Sequence, residues 1–330
     1  MPKSILKIPF YLQLLFAALL AFTVNTFIYF GYANVYSNRI LDLASFQDQF
    51  HTGIYQYRIL SAYLLVGVYD LLSFLNIDFS LFKLKFLNPG SEPQLYVSFY
   101  ILNTFFLVLF AIMFLKITQS RNFAATAQEK ILLMSIAVFT IALSQFVIVP
   151  YDISSYFLLA VFFYFLQRFL GASSMFNLMI LGGIMFVSTV NRETSALSLS
   201  VAAVLLFEKF RFKKSFIQPL VFLTALFFLT YAGLRYFGSD FTTNDGNVSL
   251  QNFSQPKNIL GILFWAVFFA LSFMLAQNHS ARKNIIIFHI ISLPYILVCF
   301  YTGILYEIRL YLPLFLTSLL LCRREIARID

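Results

Sequence analysis

Residues 94–115 read QLYVSFYILNTFFLVLFAIMFL, with no charged side chain. About 20 such residues in an α-helix cross the hydrocarbon of a bilayer, and a helix apolar on every face at that length needs a lipid or protein surround. Working outward from this stretch, comparable runs recur near 9–35, 131–149, 153–169, 175–190, 195–207, 216–237, 259–277, 285–303 and 310–322. The chain therefore reads as an all-α integral membrane protein, a single polytopic transmembrane domain over residues 1–330 with about ten transmembrane helices. Composition agrees: 60% of the 330 residues are hydrophobic and 11% charged, against about half and about a quarter in soluble domains. The 43 Phe and 19 Tyr suit a lipid-facing surface and its interfacial belts.

Residues 36–93 form the first extracytoplasmic loop followed by an interfacial or re-entrant segment near 59–77. That segment is apolar enough to span but contains Asp70, and an amphipathic run with Lys83 and Lys85 follows it from Ser80 to Leu87. If one or both pieces cross, the count becomes eleven or twelve. The positive-inside rule decides against a lone crossing of 59–77. With ten crossings, 15 Lys and Arg fall with the N-terminus, at Arg168, in the loops 116–130, 208–214 and 278–284 and in the tail, against 8 on the other side. Acidic residues go the opposite way, 4 against 10. Both termini are then cytoplasmic. The net charge of +9 is spread in short clusters between apolar runs, which excludes nucleic acid as a partner. The first run, from Pro9 to about Tyr32, is too long for a signal-peptide core and lacks a small-residue cleavage site, so it reads as a retained helix. Cys299 and Cys322 lie in apolar runs and offer neither a disulfide framework nor a CxxC pair.

This topology gathers the unusual polar residues on the outer side. The first loop supplies Asp42, Asp48, His51, Tyr55, Tyr57 and Arg58. Tyr151 and Asp152 lie between the third and fourth crossings, Asn191, Arg192 and Glu193 between the fifth and sixth, and Glu307 and Arg309 before the last. The loop 238–258 adds Asp240 and Asp245. Charges this close to hydrocarbon are expensive unless paired or in a wet cavity. Each also has a plainer reading. Asp42 and Asp48 fit ordinary loop carboxylates, Arg58 an interfacial anchor, and Asp152, after Pro150, an N-cap. Glu307 and Arg309 fit partners of Arg192 and Glu193 that merely tie helices together. Arg192 and Glu193 are adjacent and point apart, so each needs a partner from elsewhere. His51, His279 and His289 lack metal-ligand spacing, and no metal site is read. The sequons at Asn247 and Asn252 matter only in a secretory-pathway host.

Taken together, the Tyr55-Gln56-Tyr57-Arg58-Ile59-Leu60 end of the acidic loop, the Pro150-Tyr151-Asp152 step, the Asn191-Arg192-Glu193-Thr194 step, the Glu307-Ile308-Arg309-Leu310-Tyr311-Leu312-Pro313 run and their shared side resemble the bacterial GT-C glycosyltransferase superfamily. The resemblance implies transfer of a sugar from a polyprenyl-phosphate-linked donor in the membrane lipid to an acceptor glycan, lipid or protein, outside the bacterial inner membrane. It implies Asp48 as catalytic carboxylate, with Asp42 in reserve, and a divalent cation, Mg or Mn, as the one cofactor to consider. Arg58, Arg192 and Arg309 offer planar forks suited to phosphate oxygens. Tyr57, Tyr151, Asp152, Asn191, Glu193 and Glu307 would complete the substrate site. A polysaccharide polymerase or ligase needs similar arginines. A transporter or flippase of lipid-linked substrates needs buried charge as well, but with internal repeats and a mid-membrane site, and no repeat is visible.

Overall fold

In a computed structural model, residues 8–32, 36–37, 40–79, 91–239, 241–243 and 246–325 are described. Lys3, Lys7, the run from Ser80 to Leu87, Asp240, Asp245 and Arg328 lie outside them. The described residues form α-helices and short 3-10 turns, without a named strand. Six segments are long and apolar enough to cross a membrane: α1 (Phe10–Gly31), α4 (Pro93–Thr118), Ala127–Phe146 containing α5 (Ala127–Leu143), α6 (Asp152–Gly171), α9 (Lys214–Tyr236) and Pro256–Leu275 containing α11 (Ile259–Leu275). The remaining helices are α2 (Leu43–Phe50), α3 (Ile59–Phe74), α7 (Met175–Asn191), α8 (Ala196–Phe210), α10 (Ser249–Ser254), α12 (His279–Ile291), α13 (Leu293–Thr302) and α14 (Leu312–Leu321). The pair α12 and α13 bends by 49° and makes a seventh span if taken as one. Ser292 breaks that pair, and Pro294 in the first turn of α13 removes a backbone donor there.

These helices fit an integral membrane protein, and burial explains which face lipid. Only 22% of the α1 window and 17% of the α9 and α11 windows are buried, so Phe, Leu and Val project outward from them. Apolar faces this extensive suit contact with hydrocarbon. The α4 and α6 windows are 56% and 61% buried and make the centre, where Phe99, Phe110, Phe114, Phe162 and Phe163 pack.

Three of the ten segments read as crossings form shorter helices: α7, α8 and α14 have 17, 15 and 10 residues. At ~1.5 Å per residue, α14 reaches about half the hydrocarbon thickness. Its ten residues are all buried, so its apolar character serves the protein core. The α7 helix ends because Arg192 turns to extended backbone (φ −167°, ψ 142°), and α8 starts one 3-10 turn later.

Contacts to two different elements hold α3. Arg58, just before it, bonds to Glu193. Near its other end, the carbonyl of Tyr69 accepts from Gln94 Nε2 at 2.9 Å, at the start of α4. Between these contacts the helix packs against α4 and α7. Phe46 of α2 stacks edge-on against Phe99 of α4 at 5.8 Å and holds the loop helix near the start of α4.

Candidate functional site

Asp152 opens α6 but caps nothing: Tyr151 is the N-cap and makes no side-chain cap bond. The expected capping role is therefore replaced. The Asp152 carboxylate is fully buried and bridges two guanidinium groups. Arg192 Nη1 donates to its Oδ1, and Arg309 Nη1 donates to its Oδ2 at 3.3 Å. Arg309 also grips Glu307 through Nε at 2.8 Å and Nη2 at 2.7 Å. Tyr36 donates to the other Glu307 oxygen at 2.7 Å. On the other flank, Arg58 clasps Glu193 in a bidentate pair, with Nε to Oε2 at 3.2 Å and Nη2 to Oε1. Tyr151 links the two halves, its ring 4.4 Å from the Arg58 guanidinium and 5.3 Å from that of Arg192.

Arg192 and Glu193 do find separate partners, as adjacency requires. The pairing itself differs from the simplest alternative, in which Arg309 would meet Glu193 and Glu307 would meet Arg192. Helix packing brings α6 between the two loops, so Asp152 serves both arginines. Asn191, also fully buried, donates to the Tyr151 carbonyl at 3.2 Å and to Ser154 Oγ at 3.0 Å, pinning α7 to α6. Tyr57 is buried, and its hydroxyl accepts from the Thr242 amide at 3.1 Å.

The two first-loop carboxylates do not join this cluster. Asp42 is the N-cap of α2 and accepts from the Ser45 amide at 3.0 Å, which also holds its pKa below the usual value. Asp48 lies exposed on α2, and among the described residues no ion pair brings an arginine to it. The arginine surroundings expected for Asp48 are therefore not present.

Sequence reading missed Arg235. It closes α9, is 2% exposed, and lies 3.5 Å and 4.5 Å from the ring centroids of Tyr231 and Tyr57. Its Nε donates to the Thr242 carbonyl at 3.0 Å, while Nη2 has no partner. The available signal was a lone Arg between tyrosines at the end of an apolar run. Arg192 Nε and the Tyr151 hydroxyl are likewise buried without a partner.

Compared with protein-family models, curated proteins and solved structures, this chain matches none of them.

The cluster is chemically an anion-recognition set closed upon itself. Arg58, Arg192 and Arg309 are balanced by Asp152, Glu193 and Glu307, and Arg235 adds one positive charge. Glu193 is its most open member, with 29% of the side chain exposed. Burial pushes the Glu193 carboxyl up, but the Arg58 guanidinium outweighs burial and holds it at about 2. A divalent cation does not fit here. Each carboxylate is already on an arginine, and no three His, Cys, Asp or Glu side chains gather as a metal group among the described residues. Asn252, one of the two sequon positions, is 3% exposed and donates to the carbonyls of Phe300 and Gly303, which leaves no room for a glycan.

Proposed function

We propose that the protein transfers a sugar from a polyprenyl-phosphate-linked donor to an acceptor at the membrane face that carries the arginine cluster. The observation that carries this reading is the convergence of Arg58, Arg192 and Arg309 around Tyr151 and Asp152 at one end of an apolar bundle. Guanidinium groups concentrated there suit an anion whose tail is lipid. The half-open Arg58–Glu193 pair is the point of entry: the donor phosphate displaces the Glu193 carboxylate from the Arg58 fork, gaining two charge-assisted hydrogen bonds. Negative charge developing on the leaving phosphate is met by a cation already in place. The acceptor hydroxyl needs a carboxylate to take its proton. Asp152 and Glu307 are buried under arginines and Asp42 caps a helix, so of the first-loop carboxylates the exposed Asp48 is the one proposed for this role. The ten-crossing topology, with both termini cytoplasmic in a bacterial inner membrane, belongs to the same proposal.

The test uses purified protein in lipid nanodiscs with a radiolabelled polyprenyl-phosphate sugar. Arg58→Lys retains the charge but not the fork, and donor binding is expected to weaken by about tenfold. Asp48→Asn is expected to bind donor normally and transfer about a hundredfold more slowly. Wild-type protein that binds no donor would overturn the reading. The bent α12–α13 pair favours a second reading, a transporter or flippase of lipid-linked substrates, because broken helices are a habit of such proteins. Donor that changes leaflet without being consumed would select it.

A further inference from the structure

The end of the bundle opposite the arginine–carboxylate cluster holds a second charged site. The helices α8 and α14 begin at the cluster and α9 ends there, so their other ends lie together across the molecule. Between those ends is a cavity of about 920 Å³, lined by the turn after α4, the α8–α9 turn, the start of α12 and the segment after α14. That volume suits a nucleotide or a lipid headgroup.

Its charge is one-sided. Arg121, Lys209, Arg211, Lys213, Lys283 and Arg324 line it, against Glu208 and Glu325. Glu208 is already held by neutral donors, Ser280 Oγ and Asn284 Nδ2, each at 2.7 Å. Orientation signals alone explain exposed lysines in a loop; they do not explain Arg324. This side chain is only 4% exposed, forms no ion pair among the described residues, and its Nε and Nη1 atoms are buried without a hydrogen-bond partner. A guanidinium buried with unsatisfied donors is costly unless an anion completes it. Burial pulls the Arg324 pKa down to about 10, with Glu208 pulling the other way, so the group is still a cation at neutral pH. The backbone holds it there: Glu325 N donates to the Asn122 carbonyl at 2.7 Å and Ala124 N to the Arg323 carbonyl at 2.8 Å.

We propose that this cavity is a binding site for a phosphate-bearing anion, with Arg324 as its buried anchor and Lys209, Arg211, Lys213 and Lys283 around the opening. The phosphate comes either from a membrane phospholipid headgroup or from a soluble phosphate compound. Positively charged side chains graded from exposed Lys213 and Lys283 to buried Arg324 draw the anion inward and desolvate it at the end of its path. The site shares no residue with the arginine–carboxylate cluster, so it stands whether or not that cluster transfers sugar.

Two probes separate the sources. Inorganic pyrophosphate is titrated calorimetrically into detergent-solubilised wild-type protein, and phosphatidic acid is compared with phosphatidylcholine by native mass spectrometry. Binding of pyrophosphate alone identifies a soluble ligand, binding of phosphatidic acid alone a headgroup, and either result supports the site. The rim double variant Lys213→Gln with Lys283→Gln, at exposed positions, is expected to melt like wild type and to weaken binding by about tenfold or more. Arg324→Gln is expected to lose at least as much. The proposal is overturned if neither probe binds above the phosphatidylcholine background. It is equally overturned if binding survives unchanged in the well-folded rim variant.

Discussion

Asp152 holds Arg192 and Arg309 together with a single carboxylate that has no contact with solvent. Its replacement by Asn would take from Arg192 the carboxylate it is paired with and leave Arg309 with Glu307. Breaking one side of a buried pair costs about 3–5 kcal/mol, so Asp152→Asn is expected to lower the melting temperature of detergent-solubilised protein severely or to abolish folding. A variant that melts like wild type would remove Asp152 as the hub. Asp48 predicts the opposite profile: an exposed carboxylate with no ion pair among the described residues contributes little to stability, and Asp48→Asn should leave the melting temperature unchanged. Glu193 adds a pH dependence. Its pKa is depressed from 4.5 to about 2 in the folded protein. The Arg58–Glu193 contribution is therefore complete above the ordinary carboxylate range and is lost as pH falls from there toward about 2. Melting temperature measured against pH should fall across that window in wild type and less so in Glu193→Gln. That Arg192 and Glu193 need different partners was legible in their adjacency. Which partners they take was not, because the choice depends on α6 lying between two loops distant in sequence.

At the scale of elements, the loop carrying Glu307 and Arg309 is fitted against α11 at Gly261. A Cβ at that position would lie 1.5 Å from the Leu305 carbonyl oxygen, a clash with backbone that no rotamer relieves. Gly261→Ala is expected to displace the loop and to destabilise by about 1–3 kcal/mol or more, as overpacking does. Thermal unfolding checks the stability, and crosslinking of Tyr36 to Glu307 through paired cysteines checks the geometry. An unchanged melting temperature would mean that the loop and α11 are not in register. Asn252 pins the other side of the same loop, accepting from the Leu305 amide at 3.1 Å. Helix existence was legible from apolar runs. That α14 is enclosed by protein was not, because an apolar run buried by protein and one buried by lipid look alike in composition.

For the whole molecule, the two charged ends define the expected sidedness. The cavity brings residues of 116–130, 208–214 and 278–284 to one end, as the charge count requires. Single cysteines at Ser120 and Asn247, in a background lacking Cys299 and Cys322, are expected to react with an impermeant reagent from opposite sides of sealed vesicles. Equal labelling from one side would overturn the orientation and move the arginine cluster to the other face.

What the sequence by itself determined was the solvent and the class of fold. A chain this apolar, with charges confined to short clusters, can satisfy its backbone in hydrocarbon only as helices. The clusters also announced both charged ends. Only the tertiary structure decided that Asp152 is a bridge and not a cap, that Asp42 is a cap and Asp48 stands apart, and that Arg235 and Arg324 are buried. Pattern and composition report the average environment along a helix. Pairing between charges depends on distances of a few ångströms across helices far apart in the chain, and those are fixed by how large side chains pack around α4 and α6.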